Sequence, residues 1–353
     1  MTMVNNPTFA RSFGARLTFA LFVVSVFLQA DSLRLIRADD GERANEIEVF
    51  KDVKFERGFK VVDIARSPRD VGDLKLTLAP KDGKEQMKPV WKLAQHNSRY
   101  DLPTAEIVSD SNCVVAETPG QRVALERTEK NEVVLTLGVS TDKEYDHPRR
   151  ADEPWIHLLL VQDFPVGARV LFKDVDSLVF SCDARVLDWE YLGEPSDFNP
   201  AIHATQASVY FAIPNATPDS PDRDDYVWFG ISFFDDRYEV QTDYVERDGD
   251  PKKIGTGKLI YRLGGQKTID DLWGGVNPYS KAWAHLEIDL KKYLADALEA
   301  AKERGMLKNS SVDDMALAHF NFGWETPGTY RSTMQVKNLH IVAKMKEGDA
   351  KAK

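Results

Sequence analysis

Histidine, aromatic and carboxamide side chains recur at alternate positions of several strand-like segments in this sequence. Successive side chains of a strand point to opposite faces, so these residues would share one side of each strand while apolar neighbours occupy the other. A face that is only solvated would carry Lys, Glu and Thr instead, so we interpret this side as a binding surface. The predicted ligand-binding residues are His157, Tyr210, Trp228, His285, Glu287, His319 and Asn321.

The chemistry that this mixture suits is sugar recognition. A pyranose ring offers a C–H face that stacks on an aromatic ring, and hydroxyl groups that bond to amides, imidazoles and carboxylates. We therefore predict a carbohydrate or polysaccharide as the partner. An alternative for His157, His285 and His319 is that each is a hydrogen-bonded structural residue beneath a loop.

Three classes of function remain open, and the sequence identifies no catalytic residue. The leading interpretation is an exported, non-catalytic carbohydrate-binding or cell-surface interaction protein. One alternative is a polysaccharide-degrading hydrolase or lyase that acts from a concave sheet face. Another is a structural envelope protein without a ligand.

The two enzymatic alternatives need different groups. A hydrolase needs two carboxyl groups roughly 5–9.5 Å apart across a cleft. A lyase needs a histidine or tyrosine as base and a cation that neutralises the uronate. The carboxylates available are Glu287 on a predicted strand, with Glu190, Asp235 and Glu325 as loop contributors. The bases available are His157, His285, His319 and Tyr210, and no arginine is clearly assigned to that face.

Motifs for other chemistries are missing. The sequence contains no Gly-x-Ser-x-Gly, phosphate-binding loop, His-Glu-x-x-His or Cys-x-x-Cys. The acidic loop Asp219–Asp225 could hold Ca²⁺ through carboxylate and carbonyl oxygens, but a solvated loop is the preferred interpretation. No other metal or cofactor is predicted. A formal charge of -10 and a pI near 5.3 argue against nucleic acid as a partner.

The elements that would position the candidate residues are β-strands. Alternating runs recur between Glu46 and Ala343, with Pro, Gly, Asn and Asp between them, and no βαβ alternation appears. We predict an all-β fold, an antiparallel two-sheet jelly-roll β-sandwich, as a single domain over residues 46–343. Within it, the stretch Asp314–Ala343 reads as a hairpin, and Trp324 falls on the core side of its strand.

One amphipathic helix near the C-terminus interrupts this pattern. Leu290–Met306 places apolar residues at helical spacing, with Asp289 as N-cap and Gly305 at the end. We predict that it packs on one edge of the two sheets.

Two segments of the sequence resemble those of a known family. The strand GISFFDDRY (Gly230–Tyr238) and the closing pair HFNFGWETPG…MQVKNLHI are similar to late strands of secreted jelly rolls. The chain thus resembles the concanavalin-A-like and carbohydrate-binding-module sandwiches, and the resemblance implies carbohydrate binding. The acidic signature of laminarinase-type glycosidases and the Gln-Ile-His signature of alginate-lyase-like jelly rolls are absent.

The N-terminus predicts export. Arg11 and Arg16 precede the apolar run Leu17–Leu28, which is too short to span a bilayer, since a helical span needs ~20 residues. We predict a signal peptide over residues 1–30, with cleavage after Ala30 or Ala38, and a flexible linker over 31–45. An uncleaved membrane anchor is the alternative. The mature chain would be periplasmic, extracellular or on the cell surface, without a membrane segment. Residues 344–353 are predicted to be a disordered tail.

Two cysteines, Cys113 and Cys182, are present. In an oxidising compartment they could form a disulfide, and two separate thiols are the alternative.

Overall fold

Two β-sheets packed face to face make up the fold, in a computed structural model that describes residues 45–63, 69–78, 87–249 and 255–347. The predicted signal peptide, nearly all of the predicted linker, and residues 348–353 of the predicted tail lie outside these ranges. The all-β two-sheet prediction is confirmed.

The strand boundaries follow the turn residues of the sequence. In chain order the strands are β1 Glu46–Glu48, β2 Phe59–Asp63, β3 Arg69–Leu74, β4 Trp91–Ala94, β5 Glu106–Ser109, β6 Cys113–Glu117, β7 Gln121–Arg127, β8 Val133–Ser140, β9 Ile156–Asp163, β10 Val170–Leu171, β11 Val175–Tyr191, β12 Gln206–Pro214, β13 Tyr226–Asp235, β14 Tyr244–Arg247, β15 Leu259–Leu263, β16 Ala284–Asp289, β17 Ala316–Leu317, β18 His319–Thr326 and β19 Tyr330–Met345. The last strand therefore runs two residues beyond the predicted end of the sandwich domain.

We call the two layers the front sheet and the back sheet. The front sheet has nine strands in the order β14-β15-β13-β12-β18-β9-β4-β2-β3. The back sheet has eight, in the order β16-β11-β19-β8-β7-β6-β5 with β1 beside β19. Neighbouring strands are antiparallel except β13 with β15 and β2 with β4, which are parallel. The short strands β10 and β17 pair with each other.

The core lies between the sheets and is rich in aromatic rings. Phe180 of the back sheet contacts Phe211 and Phe320 of the front sheet, with ring centroids 5.2 and 5.4 Å apart. Trp324 lies in this core as predicted, with no exposed surface, and its indole N–H donates to the carbonyl of Leu137 in the opposite sheet at 3.0 Å. The apolar side of each strand is therefore the side that faces the other sheet.

The closing stretch is not a hairpin. β18 pairs with β12 and β9 in the front sheet, whereas β19 pairs with β11, β8 and β1 in the back sheet. The turn at Pro327 and Gly328 therefore carries the chain from one sheet to the other. Sequence alternation could not distinguish this crossing from a hairpin, because both need a turn between two strands.

Two helices accompany the sheets in the described part of the chain. The predicted one is α2, Leu290–Glu303, whose N-cap Asp289 accepts a hydrogen bond from the Lys291 backbone N–H. It buries Leu294 and Leu298 and contacts β11 and β13, one strand of each sheet, as expected for a helix on the sandwich edge. The shorter helix α1, Gly265–Leu272, was not predicted.

Candidate functional site

The outer face of the front sheet, which we call the polar face, brings together five of the predicted residues. They lie on four adjacent strands, β9, β18, β12 and β13. Those residues are His157, Tyr210, Trp228, His319 and Asn321.

The prediction of one shared face is wrong for His285 and Glu287. Both lie on β16, the edge strand of the back sheet. His285 Nδ1 contacts the Asp183 carboxylate at 2.8 Å, and Glu287 lines a separate pocket with Lys292 and Tyr293. Alternation had identified their outward side correctly, but it carries no information about which sheet a strand joins.

One end of the polar face centres on His319. Its Nδ1 contacts Asp163 Oδ1 at 2.6 Å, and its Nε2 lies 3.1 Å from the Asn321 side-chain amide. Lys92 forms an ion pair with the same Asp163 carboxylate. Burial alone would raise the pKa of Asp163, but the hydrogen bonds from His319 and Lys92 lower it to about 2. This carboxylate is therefore ionised at neutral pH.

Aromatic rings lie beside this end. The Trp228 ring contacts His319, Tyr226 and Tyr210 at centroid distances of 5.5, 5.4 and 6.4 Å. Its indole N–H donates to Thr256 Oγ1 at 3.3 Å. Trp228 is half-buried, so part of its ring is available for stacking.

The other end of the polar face centres on Glu325, six residues further along β18. His157 Nε2 lies 3.6 Å from Glu325 Oε1, and the Gln206 amide donates to Glu325 Oε2 at 3.2 Å. Burial raises the pKa of Glu325, but the hydrogen bond and charge of His157 outweigh it, so the net pKa is below the usual range. Glu325 was anticipated only as a loop residue, and it is a strand residue of this face.

A second histidine continues this row of side chains. The His96 ring lies 5.4 Å from the His157 ring, and its Nδ1 is 3.8 Å from the Asp63 carboxylate. Burial lowers the pKa of His96 to about 4, and the neighbouring His157 adds to the shift. His96 is therefore a neutral imidazole at neutral pH.

Between the two ends, Tyr210 and Arg262 meet across a glycine. A Cβ built at Gly230 would lie 2.4 Å from the Tyr210 ring and 3.1 Å from Arg262 Cγ. The register agrees, because Gly230 pairs with Tyr210 on one side and with Arg262 on the other. Burial raises the pKa of the Tyr210 hydroxyl to about 12, and the Arg262 charge opposes that rise.

Arg262 is one residue of the polar face that sequence reasoning missed. It lies on β15, a five-residue strand that joins the front sheet through a parallel pairing with β13. The apolar and aromatic neighbours Tyr261 and Leu263 are consistent with a strand at Arg262. Nothing in the sequence indicates that this strand pairs with β13. The lyase alternative had lacked this arginine.

Two buried polar atoms of the polar face have no hydrogen-bond partner among the described residues. They are His157 Nδ1 and Arg262 Nε. Buried polar groups in proteins are nearly always paired, so such atoms point to a bound group that completes them. They lie toward the Glu325 end and the middle of the face, where the titratable side chains converge.

A carboxylate pair suited to hydrolysis is not formed by Glu325 and Asp163. Asp163 pairs with His319 in the strand register, and Glu325 pairs with His157 six residues away. Six residues of strand span about 20 Å, well beyond the ~5–9.5 Å that glycoside hydrolysis requires. Glu190 and Asp235 form ion pairs with Arg331 and Arg237, and Glu287 belongs to the back sheet.

Metal ligation gains no support from the described residues. None of them form a group of three or more His, Cys, Asp or Glu side chains arranged to hold a metal ion. In the acidic loop, Asp222 accepts hydrogen bonds from Asn309 and Ser310, and Asp225 contacts Lys258 at 2.6 Å.

Both cysteines are free thiols. Cys113 lies on β6 and Cys182 on β11, and three strands of the back sheet separate them. Four strand spacings amount to about 19 Å, far more than a disulfide can bridge.

In the part of the chain that the structure describes, no helix is long and apolar enough to cross a membrane.

Comparisons with known proteins identify no family for this chain. No family model matches it, and no curated protein matches it. Similar solved structures include a family 12 xyloglucanase from Bacillus licheniformis (TM-score 0.36, 11% identity, 67% of this chain and 96% of that one). An endoglucanase from Rhodothermus marinus is similar with a TM-score of 0.35 and 10% identity, over 69% of this chain and 96% of that one. A family 11 xylanase from Neocallimastix patriciarum is similar with a TM-score of 0.32 and 9% identity, over 67% of this chain and 94% of that one. Likeness at this level carries no activity over to this chain.

Proposed function

We propose that this protein binds a polysaccharide on the polar face. The observation that carries the proposal is the meeting of a half-exposed Trp228 with Tyr210, His157, Glu325 and Arg262 on one sheet surface. Ring faces stack on the C–H side of a sugar, and the charged and amide groups hydrogen-bond to its hydroxyls. Unpartnered buried atoms on the same surface are the expected mark of a site completed by its ligand.

The test is a comparison of two tryptophan variants. Trp228→Ala should weaken binding to the polysaccharide selected by a glycan array about tenfold or more, because stacking is worth ~1 kcal/mol beyond the buried area. Trp283→Ala is the matched control: Trp283 is also half-buried, contacts Arg185 at 4.6 Å, and directly precedes a back-sheet strand. Titration calorimetry on both variants measures the difference. Equal losses in the two variants, or no array ligand at all, would contradict the proposal.

A second candidate function is cleavage of the bound chain by β-elimination. The observation that favours it over hydrolysis is the wide separation of Glu325 and Asp163, together with Tyr210 beside Arg262. A base removes the proton next to a uronate carboxylate, the C–H electrons form a carbon–carbon double bond, and the glycosidic C–O bond breaks as its oxygen takes up a proton. Incubation with the array ligand distinguishes the outcomes: unsaturated uronate ends indicate a lyase, saturated reducing ends a hydrolase, and an intact polymer a binding protein.

Export belongs to the same proposal. The basic residues Arg11 and Arg16 before the apolar run Leu17–Leu28 support a cleaved signal peptide and a periplasmic or extracellular site of action. Mass spectrometry of the mature N-terminus is the test, and an intact Met1 on protein from the cytoplasm would overturn it.

A further inference from the structure

Arg262 is a cation without a carboxylate partner among the described residues of the polar face. The other strand cations on this face are paired: Lys92 with Asp163, and Lys60 with Asp70 at 2.5 Å. Arg262 instead contacts the Tyr244 ring at 5.5 Å and the Tyr210 side chain, and its buried Nε has no hydrogen-bond partner. A partly desolvated guanidinium that lacks an anion is costly, so this arrangement calls for an anion from outside.

The neighbours of Arg262 hold it in place rather than neutralise it. Its stem lies next to Gly230, where an added Cβ would come within 3.1 Å of Arg262 Cγ, and Tyr244 pairs with it in register on the adjacent strand. A guanidinium held between two tyrosines is pre-oriented, and its planar donors match the two oxygens of a carboxylate or sulfate group.

The Glu325 carboxylate does not take the role of that anion. It is occupied by Gln206, which donates to one oxygen, and by His157 at the other. No ion pair joins Glu325 to Arg262 among the described residues, although the Arg262 charge lowers the pKa of Glu325 from a distance. The Arg262 donors that do not bond to Tyr210, Nε among them, are therefore left for a ligand.

We propose that the polar face selects an acidic polysaccharide, and that Arg262 binds the carboxylate or sulfate of one of its sugars. This inference rests on the proposed function, because it names the class of polysaccharide that the site takes. The chain carries a net charge of -10, so long-range attraction does not favour a polyanion. Selectivity would come from the local contact with Arg262, and it should persist at physiological salt, where distant charges are screened.

The experiment uses one polymer in two forms: a polyuronate and the same polymer with its carboxyl groups reduced to alcohols. A sulfated neutral polysaccharide forms the third arm and separates sulfate from carboxylate recognition. Calorimetry with the intact protein should show tighter binding of an acidic polymer than of the reduced one. Arg262→Gln should lose about tenfold or more of that affinity, the range expected for a charge-assisted hydrogen bond, and should lose much less affinity for the reduced polymer, which offers Arg262 only hydroxyl groups.

Two controls keep the result interpretable. Arg331→Gln changes an arginine of the back sheet that pairs with Glu190, and it should bind every polymer as the wild type does. Thermal unfolding of Arg262→Gln checks that the variant is folded. Equal wild-type affinity for the acidic and reduced polymers, or an unchanged Arg262→Gln, would overturn the inference while leaving polysaccharide binding intact. Binding of no polymer in any arm would overturn the proposed function itself.

Discussion

At the scale of single residues, the Glu325 end of the polar face is a row of groups in which burial and neighbouring charges shift the pKa values of Glu325 and His96. His157 lies between Glu325 and His96, and Asp63 lies beyond His96. The hydrogen bond and charge of His157 lower the pKa of Glu325, and burial lowers the pKa of His96 so that its imidazole is neutral. An ionised Glu325 and a neutral His96 result at neutral pH, and both can hydrogen-bond to hydroxyl groups.

The buried His96 should make stability fall in acid. Its pKa is about 4 in the fold against an ordinary value of 6.5, so the unfolded chain binds the proton more readily. The stabilisation is fully present above pH 6.5 and is lost as the pH falls toward 4, a loss of up to about 3 kcal/mol. His96→Asn removes this contribution, so urea unfolding at pH 7 and pH 4.5 should show a smaller difference for the variant than for wild type.

The charged neighbours that oppose or add to this effect are Asp63, Glu325, His157 and His319. The control is His147→Asn, which alters a half-exposed histidine beside Glu153 at the opposite end of a surface loop. A reduced pH dependence as large as that of His96→Asn would show that the effect is not specific to His96. If His96→Asn lost as much stability in acid as the wild type does, another group would be responsible.

At the scale of elements, the alternation of side chains predicted well which residues of a strand face the core, but it predicted poorly which strands are neighbours in a sheet. It assigned Trp324 to the core, where this residue lies fully buried together with Phe320 and Phe322 on the same side of the strand. In β19, unbroken alternation would place Asn338 and His340 on the side of Met334 and Val336, but they lie on the other side. Asn338 has φ of 52° and forms a bulge opposite Cys182, so Leu339 and Ile341 turn inward instead.

Gly323 is a requirement of close strand packing within β18. A Cβ there would lie 2.2 Å from the backbone oxygen of Leu158 in the neighbouring strand β9. Gly323→Ala should therefore destabilise the fold by roughly 1–3 kcal/mol, as overpacking does. Chemical denaturation measures the change.

Gly138 offers the matched control for that variant. It is also inside a central strand, but a Cβ there would find its nearest neighbours at 3.4 and 3.5 Å. Gly138→Ala should be neutral or slightly stabilising, since glycine in a strand costs about 0.5–1 kcal/mol of conformational entropy. Equal effects of the two substitutions would show that packing against Leu158 is not the cause.

At the scale of the whole molecule, the sequence indicated the layers but not their strand order. The alternation of side chains alone grouped the residues of β9, β12, β13 and β18 that the front sheet brings together. It succeeded there because polar and apolar side chains alternate without interruption around these residues. The partners of β15 and β16 are distant in the chain, so Arg262 could not be included and His285 could not be excluded. Long-range pairing is set by the packing of the whole sandwich, which a local pattern does not contain.

Trp324 connects the two layers, and its removal tests the architecture as a whole. The ring is fully buried beside Phe234, and its N–H donates across the core to the Leu137 carbonyl. Trp324→Ala should cost ~3–5 kcal/mol of stability. Trp324→Phe keeps most of the ring and should cost less, mainly the ~1–3 kcal/mol of an unsatisfied carbonyl. Urea denaturation measures both.

The comparison that makes this decisive is Trp155→Ala, because Trp155 is 41% exposed and should change stability by no more than ~0.5 kcal/mol. The Trp324 variants that remain folded should bind polysaccharide as the wild type does, since the ring points away from the polar face. A Trp324→Ala protein with an unchanged melting temperature and no affinity for the ligand would reverse the assignment of the two faces of β18. It would move the site into the space between the sheets, where Phe320 and Phe322 now form the core.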